Sequence, residues 1–163
     1  CHEHTFFCNI GIAGGDYPLG SLYQINKITD QENLENHYPT FFDHLPSTRL
    51  LTATQPSKNY EPHCLIDMEG SAFYQACSKL VNHEQISLLK VVSDNPTNPI
   101  EHITPTHCTT ILKKNITQIQ QHISILSKLS TQEKAVQPCF SYDEIKKHYH
   151  FTRYQQEKLN ALF

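Results

Sequence analysis

Acidic and small side chains follow three apolar runs of the sequence, at the points where each run ends. The runs end in Ala13-Gly14-Gly15, Asp67-Met68-Glu69 and Ser93-Asp94-Asn95. Ligands of α/β proteins bind beyond strand ends, where small residues admit a ligand close to the backbone and carboxylates bind hydroxyl groups or exchange protons. Each motif alone is also typical of a turn or a helix cap. A functional role for Glu69 and Asp94 therefore depends on whether the fold brings the three ends together.

The apolar runs themselves are predicted strands. Their hydrophobic pattern predicts strands over residues 5–12, 21–29, 49–54, 63–67 and 86–92. The runs at 49–54 and 86–92 are typical of strands covered on both faces. Helical spacing predicts helices over 70–81 and 106–129, with two short ones at 142–148 and 153–162, and residues 30–48 are predicted as a long loop with at most one short helix. The alternation predicts a three-layer α/β/α fold with a mixed central sheet.

The composition of the chain excludes several classes of partner. With 163 residues it is predicted to form a single domain over 1–163, and a net charge of −3 with a pI near 6.4 does not favour a nucleic-acid partner. No apolar run is long enough to span a membrane. Six cysteines without a C-x-x-C pair are interpreted as buried thiols of a reduced compartment, which favours the cytoplasm.

The spacing of the histidines and cysteines disfavours both a metal site and a Cys-His hydrolase. The eleven histidines contain no H-E-x-x-H or Cys-His zinc pattern, so no metal and no cofactor are predicted. A Cys-His hydrolase built on His63 and Cys64 is disfavoured, because neighbours in a strand point to opposite faces. The basic and aromatic segment Lys146-Lys147-His148-Tyr149-His150, with Arg153, could contact nucleic acid, but a solvated helix face explains it equally well.

Taken together and in order, the three motifs resemble the signature segments of the nucleoside phosphorylase superfamily. The resemblance is closest to its nucleosidase branch, which acts on methylthioadenosine, adenosylhomocysteine and futalosine. It extends over about residues 9–129, while residues 130–163, with their predicted helices, match nothing in the family. It implies a phosphorylase/hydrolase-like fold that lacks the family's N-terminal strands, and a small-molecule nucleoside as the partner.

The resemblance also implies a role for each site residue. Asp94 corresponds to the acid that protonates the leaving purine, and Ser93 would orient it. Glu69 corresponds to the carboxylate that binds both ribose hydroxyls, with Met68 packed against the ribose. Backbone groups of Ala13 and Gly14 are expected to approach the sugar and base, and Thr54 and Gln55 are expected to contact the base.

The sequence departs from the family pattern in two places. Ile12 stands where many members have a hydroxyl residue that binds phosphate or the attacking water, which favours hydrolysis over phosphorolysis. The strands that supply the water-activating glutamate in the family precede its Asn-x-Gly segment, and nothing in residues 1–8 corresponds to them.

Residues 6–12 would then be a central strand with a missing neighbour. We therefore expect the isolated chain to associate, as a homo-oligomer or with an N-terminal companion, and to have little activity alone. The alternatives are a nucleoside phosphorylase and a non-catalytic remnant that binds nucleosides or serves assembly.

Overall fold

A computed structural model describes residues 5–132 and 149–160 of the chain. The chain divides into two compact units, Cys1–Gln132 and Glu133–Phe163. The boundary lies close to residue 129, where the family resemblance ends. All three motifs of the sequence lie in the first unit.

Six strands of the first unit form one mixed sheet. They are β1 (Phe7–Gly15), β2 (Leu22–Asp30), β3 (Asn36–His37), β4 (Ser47–Thr52), β5 (Cys64–Asp67) and β6 (Ile86–Asp94). The order is β3-β2-β4-β5-β1-β6, and an additional β2–β6 pairing closes the sheet on itself. The five predicted strands are confirmed within a few residues. The two-residue strand β3 lies in the predicted loop 30–48, which holds no helix, and the closure of the sheet was not predicted.

Three helices cover the sheet, and one of them differs from the prediction. They are α1 (Gly70–Cys77), α2 (Pro105–Lys114) and α3 (Ile116–Gln132). The single helix predicted over 106–129 is wrong, because the backbone leaves the helix at Asn115 with φ −98° and ψ 4°. The Asn115 side-chain amide donates to the carbonyl oxygens of Ile111 at 2.8 Å and of Gly20 at 2.9 Å. The break is thus stabilised by a contact with the turn before β2.

The helices bury two hydrophobic clusters, one on each side of the sheet. The first includes Tyr74 and Cys77 of α1, and the second includes Ile111 and Ile119 of α2 and α3. Strand β6 contributes to both clusters, and all nine of its residues are buried. This confirms that β6 is covered on both faces and that the layers are α/β/α. The same prediction was wrong for β4, where Ser47 and Arg49 are exposed and Leu51 is only partly buried.

Strand β1 has an unpaired edge over most of its length. It pairs with β6 from Phe7 to Gly14 but with β5 only at Gly14 and Gly15. Within residues 5–132, no strand pairs with the other side of residues 7–12. Their side chains are only partly buried, and Ile10 is 38% exposed. This edge leaves backbone donors and acceptors free to pair with a further strand.

The second unit is described over a short stretch only. Its described helix is α4 (Arg153–Asn160), which confirms most of the helix predicted over 153–162. An ion pair of 3.4 Å joins Arg153 and Glu157 one turn apart. The helix predicted over 142–148 lies outside the described residues. Among the residues that the structure describes, no helix has the length and apolar character needed to cross a membrane.

A buried histidine makes the stability of the first unit sensitive to acid. His122 of α3 is fully buried, with Nε2 2.8 Å from Ser87 Oγ and Nδ1 3.3 Å from His44 Nε2. Burial, and then the neighbouring His44, lower the pKa of His122 from 6.5 to about 4. Between these values the unfolded chain binds more protons than the folded one. The contribution of neutral His122 to the free energy of unfolding is therefore fully present above pH 6.5. It is lost as the pH falls towards 4.

We expect this loss to amount to roughly 2–3 kcal/mol. Urea unfolding of wild type and His122→Gln between pH 7 and 4 measures it, with His102→Gln, at an exposed position, as the control. Wild type and the control should lose stability more steeply than His122→Gln. Equal slopes for all three proteins would show that another group controls the acid sensitivity.

Candidate active site

The three motifs predicted from the sequence lie around one cavity of about 380 Å³. The ends of β1, β5 and β6 form its floor, the loop after β4 forms one wall, and the segment from the turn at Ile100 to α2 forms another. Ligand pockets for small molecules have volumes of about 300–1,000 Å³. The cavity is therefore large enough for a nucleoside, and the structure brings together the motifs that the sequence could only place in order.

Asp94 ends β6 in the cavity lining and is only 3% exposed. Its Oδ1 accepts a hydrogen bond of 2.6 Å from Ser93 Oγ, and its Oδ2 accepts one of 2.7 Å from the Tyr60 hydroxyl. Both carboxylate oxygens are thus held by hydroxyl donors. A buried carboxyl with a fixed orientation beside a ligand cavity is suited to proton transfer.

Gly14 makes room for this carboxyl group. The β1–β6 register shifts between Ala13 and Gly14, which sets Gly14 opposite Asp94. A Cβ atom on Gly14 would lie 2.5 Å from Asp94 Oδ2 and 3.0 Å from the Tyr60 ring. A side chain at this position would therefore displace the acid. The absence of a side chain at Gly14 thus has a physical reason in the position of Asp94, and the predicted contact of the Gly14 backbone with a ligand stays a prediction.

Glu69 follows β5 and immediately precedes α1, where an acidic residue often caps a helix. Here its side chain makes no capping hydrogen bond. Asp67 serves that end of the helix instead, because its Oδ1 accepts from the backbone amide of Gly70 at 3.2 Å. The exposed Glu69 carboxylate lines the cavity beside Met68, which is 51% exposed. Glu69 is therefore free to accept hydrogen bonds from a ligand.

A buried ion pair lies on the cavity floor, and the sequence reasoning missed it. Lys90 Nζ is 2.8 Å from Asp67 Oδ2, and the two side chains are 2% and 4% exposed. Asp67 Oδ1 also accepts from Thr52 Oγ1 at 3.0 Å, which ties the pair to β4. The signal in the sequence was a lysine in the middle of the apolar run Leu88-Leu89-Lys90-Val91-Val92. Such a charge is buried only when it has a partner.

Gln55 and Thr54, the two residues predicted to contact the base, differ in their position relative to the cavity. Gln55 lines the cavity together with Pro56 and Ser57, so its position allows contact with a base bound there. Thr54 is not among the lining residues, and its backbone amide donates to Gln31 Oε1 at 3.4 Å. The contacts of both residues with a ligand remain predictions.

Part of the cavity lining is apolar. It is formed by Ile12, Ile100, Ile103, Cys108 and Leu112. Ile12 therefore does face the ligand space, and its side chain brings no hydroxyl group there. A cavity lined by both carboxylates and aliphatic side chains suits a ligand with both a polar and an apolar part.

Comparisons with solved structures identify the fold as that of the 5′-methylthioadenosine/S-adenosylhomocysteine (MTA/SAH) nucleosidases. The chain is similar to the MTAN of Chlamydia trachomatis bound to MTA, with 25% identity over 76% of this chain and 57% of that chain and a TM-score of 0.50. It is also similar to an MTA/SAH nucleosidase at 15% identity, covering 77% of this chain and 62% of that chain, with a TM-score of 0.53. A third similar structure is the MTA/SAH nucleosidase of Colwellia psychrerythraea 34H in complex with adenine, at 14% identity, 76% and 66% coverage, and a TM-score of 0.53.

These similarities establish the fold class that the sequence motifs implied. The chain has a mixed α/β fold like that of the MTA/SAH nucleosidases and resembles the nucleosidase branch of the nucleoside phosphorylase superfamily. It spans 57–66% of the length of these three solved chains. No protein-family model matches the sequence, and a search of curated proteins gave no match.

Proposed function

We propose that this chain carries the ribose- and base-binding part of a purine nucleosidase, which hydrolyses the N-glycosidic bond of an adenosine-type nucleoside. The observation that carries the proposal is Asp94, a buried carboxyl group held by two hydroxyl donors in the lining of a nucleoside-sized cavity. The solved structures of similar fold, one of them bound to MTA, also support a nucleosidase function. We place the activity in the cytoplasm as part of the proposal, on the free thiols of Cys8, Cys64, Cys77 and Cys108.

The two acidic residues would divide the chemistry between sugar and base. Cleavage of a glycosidic bond passes through a transition state in which the sugar gains positive charge. The Glu69 carboxylate would bind the ribose hydroxyls by charge-assisted hydrogen bonds and stabilise that charge. Asp94 would donate a proton to the leaving purine, so that the base departs as a neutral molecule. Ile12 brings no hydroxyl for phosphate into the cavity, which supports water as the nucleophile.

Glu69→Gln should weaken the binding of an adenosine-type nucleoside and leave the binding of free adenine nearly unchanged. The reason is that only the ribose hydroxyls need the carboxylate. Loss of a hydrogen bond to a charged group costs about 1.5–3 kcal/mol of binding free energy. Calorimetric titration of both ligands measures the two effects, and Glu32→Gln, at an exposed position away from the cavity, is the matched control. An equal loss for adenine and nucleoside would remove Glu69 from the ribose site.

We propose that the unpaired edge of β1 is covered in the active protein, by a second copy or by an N-terminal companion segment. The edge over residues 7–12 runs directly into Gly11, Ile12 and Ala13, which line the cavity. A strand added there would bring its side chains next to the ligand and could supply the water-activating group. Light scattering should then show the isolated 163-residue chain as an oligomer or aggregate with weak activity. A stable monomer with ordinary nucleosidase turnover would contradict this part of the proposal.

A further inference from the structure

Two contacts tie the loop between β4 and β5 to two other segments beside the cavity. The Tyr60 hydroxyl donates to Asp94 Oδ2 at the end of β6, and Lys58 forms an ion pair with Glu101 in the short turn Ile100–His102. The same loop supplies Gln55, Pro56 and Ser57 to the cavity wall. The loop is thus a wall of the cavity that is anchored at one point to the acid itself.

The Tyr60 side chain has the properties of a fixed hydrogen-bond donor. It is half-buried, and its hydroxyl lies 2.7 Å from Asp94 Oδ2. Burial, followed by the hydrogen bond to Asp94, raises the pKa of Tyr60, so the phenol stays protonated at any physiological pH. The phenol is therefore a very weak acid and is not suited to supply the proton of the reaction.

Tyr60 does not line the cavity itself but contacts Asp94, which does. The cavity lining includes Asp94 and Ser93 but not Tyr60. Ser93 is a neighbour in sequence and holds only Oδ1, so Ser93 alone would leave Oδ2 without a fixed donor. The Tyr60 ring edge also packs at the place where Gly14 lacks a side chain. Tyr60 and Gly14 together define where Oδ2 lies.

We propose that Tyr60 is a positioning residue of the glycosidic cleavage, which holds Asp94 Oδ2 in place and thereby couples the loop at residues 53–63 to the acid. The inference rests on the proposed function and deepens it. A displacement of a reacting group by about 1 Å can cost about 100-fold in rate, so a carboxyl group with both oxygens held has a kinetic advantage over one held at a single oxygen.

Tyr60→Phe tests the inference in the natural gene product, and Tyr17→Phe is its matched control. Tyr17 also donates or accepts one side-chain hydrogen bond through its hydroxyl, to Thr48 Oγ1 at 2.8 Å, but makes none to Asp94. We expect Tyr60→Phe to lower kcat for adenine release about 10-fold while KM changes by less than about twofold. Trypsin should cleave after Lys58 about 10-fold faster in this variant, because the loop has lost one of the hydrogen bonds that anchor it. Tyr17→Phe should change neither readout.

A double substitution checks that Tyr60 acts through Asp94. If it does, adding Tyr60→Phe to Asp94→Asn should cause no further loss of kcat, because residues that act as a unit are not additive. An active wild type with unchanged kcat in Tyr60→Phe would overturn the inference and leave the proposed function intact. A further loss of the same size in the double variant would also overturn it. A wild type that releases no adenine, with faster cleavage after Lys58 in Tyr60→Phe, would reject the proposed function and reduce Tyr60 to a loop anchor.

Discussion

Asp94→Asn should reduce adenine release from methylthioadenosine by about 10²- to 10⁴-fold, the usual contribution of general acid catalysis. An asparagine side chain has nearly the same shape and can still accept the hydrogen bond from Ser93 or Tyr60. It cannot supply a carboxylic proton to the purine, so the base would have to leave as an anion. We therefore expect kcat to fall strongly while the protein remains folded and continues to bind adenine.

The matched control for this substitution is Asp16→Asn, at an exposed position just beyond the end of β1. Steady-state assays of wild type and both variants, with circular dichroism to confirm folding, make the comparison. Asp16→Asn should retain full activity. If Asp94→Asn kept more than about a tenth of the wild-type kcat, another group would have to protonate the base.

Lys90→Met should destabilise the fold by about 3–5 kcal/mol, because it leaves the buried Asp67 carboxylate without its partner. The two side chains are almost completely buried and 2.8 Å apart. Urea unfolding measures the change in free energy. The matched control is Lys79→Met, at an exposed position after α1, which should change stability by no more than about 0.5 kcal/mol.

A second substitution separates loss of the ion pair from loss of the lysine itself. Asp67→Asn retains a side-chain oxygen for the hydrogen bonds from Thr52 and Gly70 but removes the negative charge. The double variant Lys90→Met with Asp67→Asn should therefore recover part of the stability lost in Lys90→Met. A double variant that is less stable than Lys90→Met would mean that the unpaired carboxylate is not the cause of the loss.

The strands and the helix after Glu69 were predictable because their signals are local. Alternating or continuous apolar runs that end at Gly14, Asp67 and Asp94 mark β1, β5 and β6 within a few residues. The candidate site followed from the same strand ends together with the family resemblance. The three motifs and their order along the chain therefore predicted most of the residues that form the cavity floor.

The features that were missed depend on contacts between distant parts of the chain. A continuous stripe of isoleucines concealed the break at Asn115, which is stabilised by a hydrogen bond to Gly20, 95 positions earlier. The closure of the sheet requires the pairing of β2 with β6, and hydrophobic pattern alone does not choose strand neighbours. Tyr60 lies in an irregular loop, 34 positions before the acid that it contacts. No periodicity marks such a residue.

Product analysis is the measurement that tests the central claim most directly. The natural gene product is incubated with methylthioadenosine, with and without phosphate, and the base and sugar products are separated by chromatography. The proposed function predicts adenine together with free methylthioribose, at the same rate in both buffers. Phosphate-dependent release with a sugar 1-phosphate as product would replace hydrolysis with phosphorolysis. No adenine release, and no calorimetric binding of the nucleoside, would contradict the assignment of this cavity as a nucleosidase site.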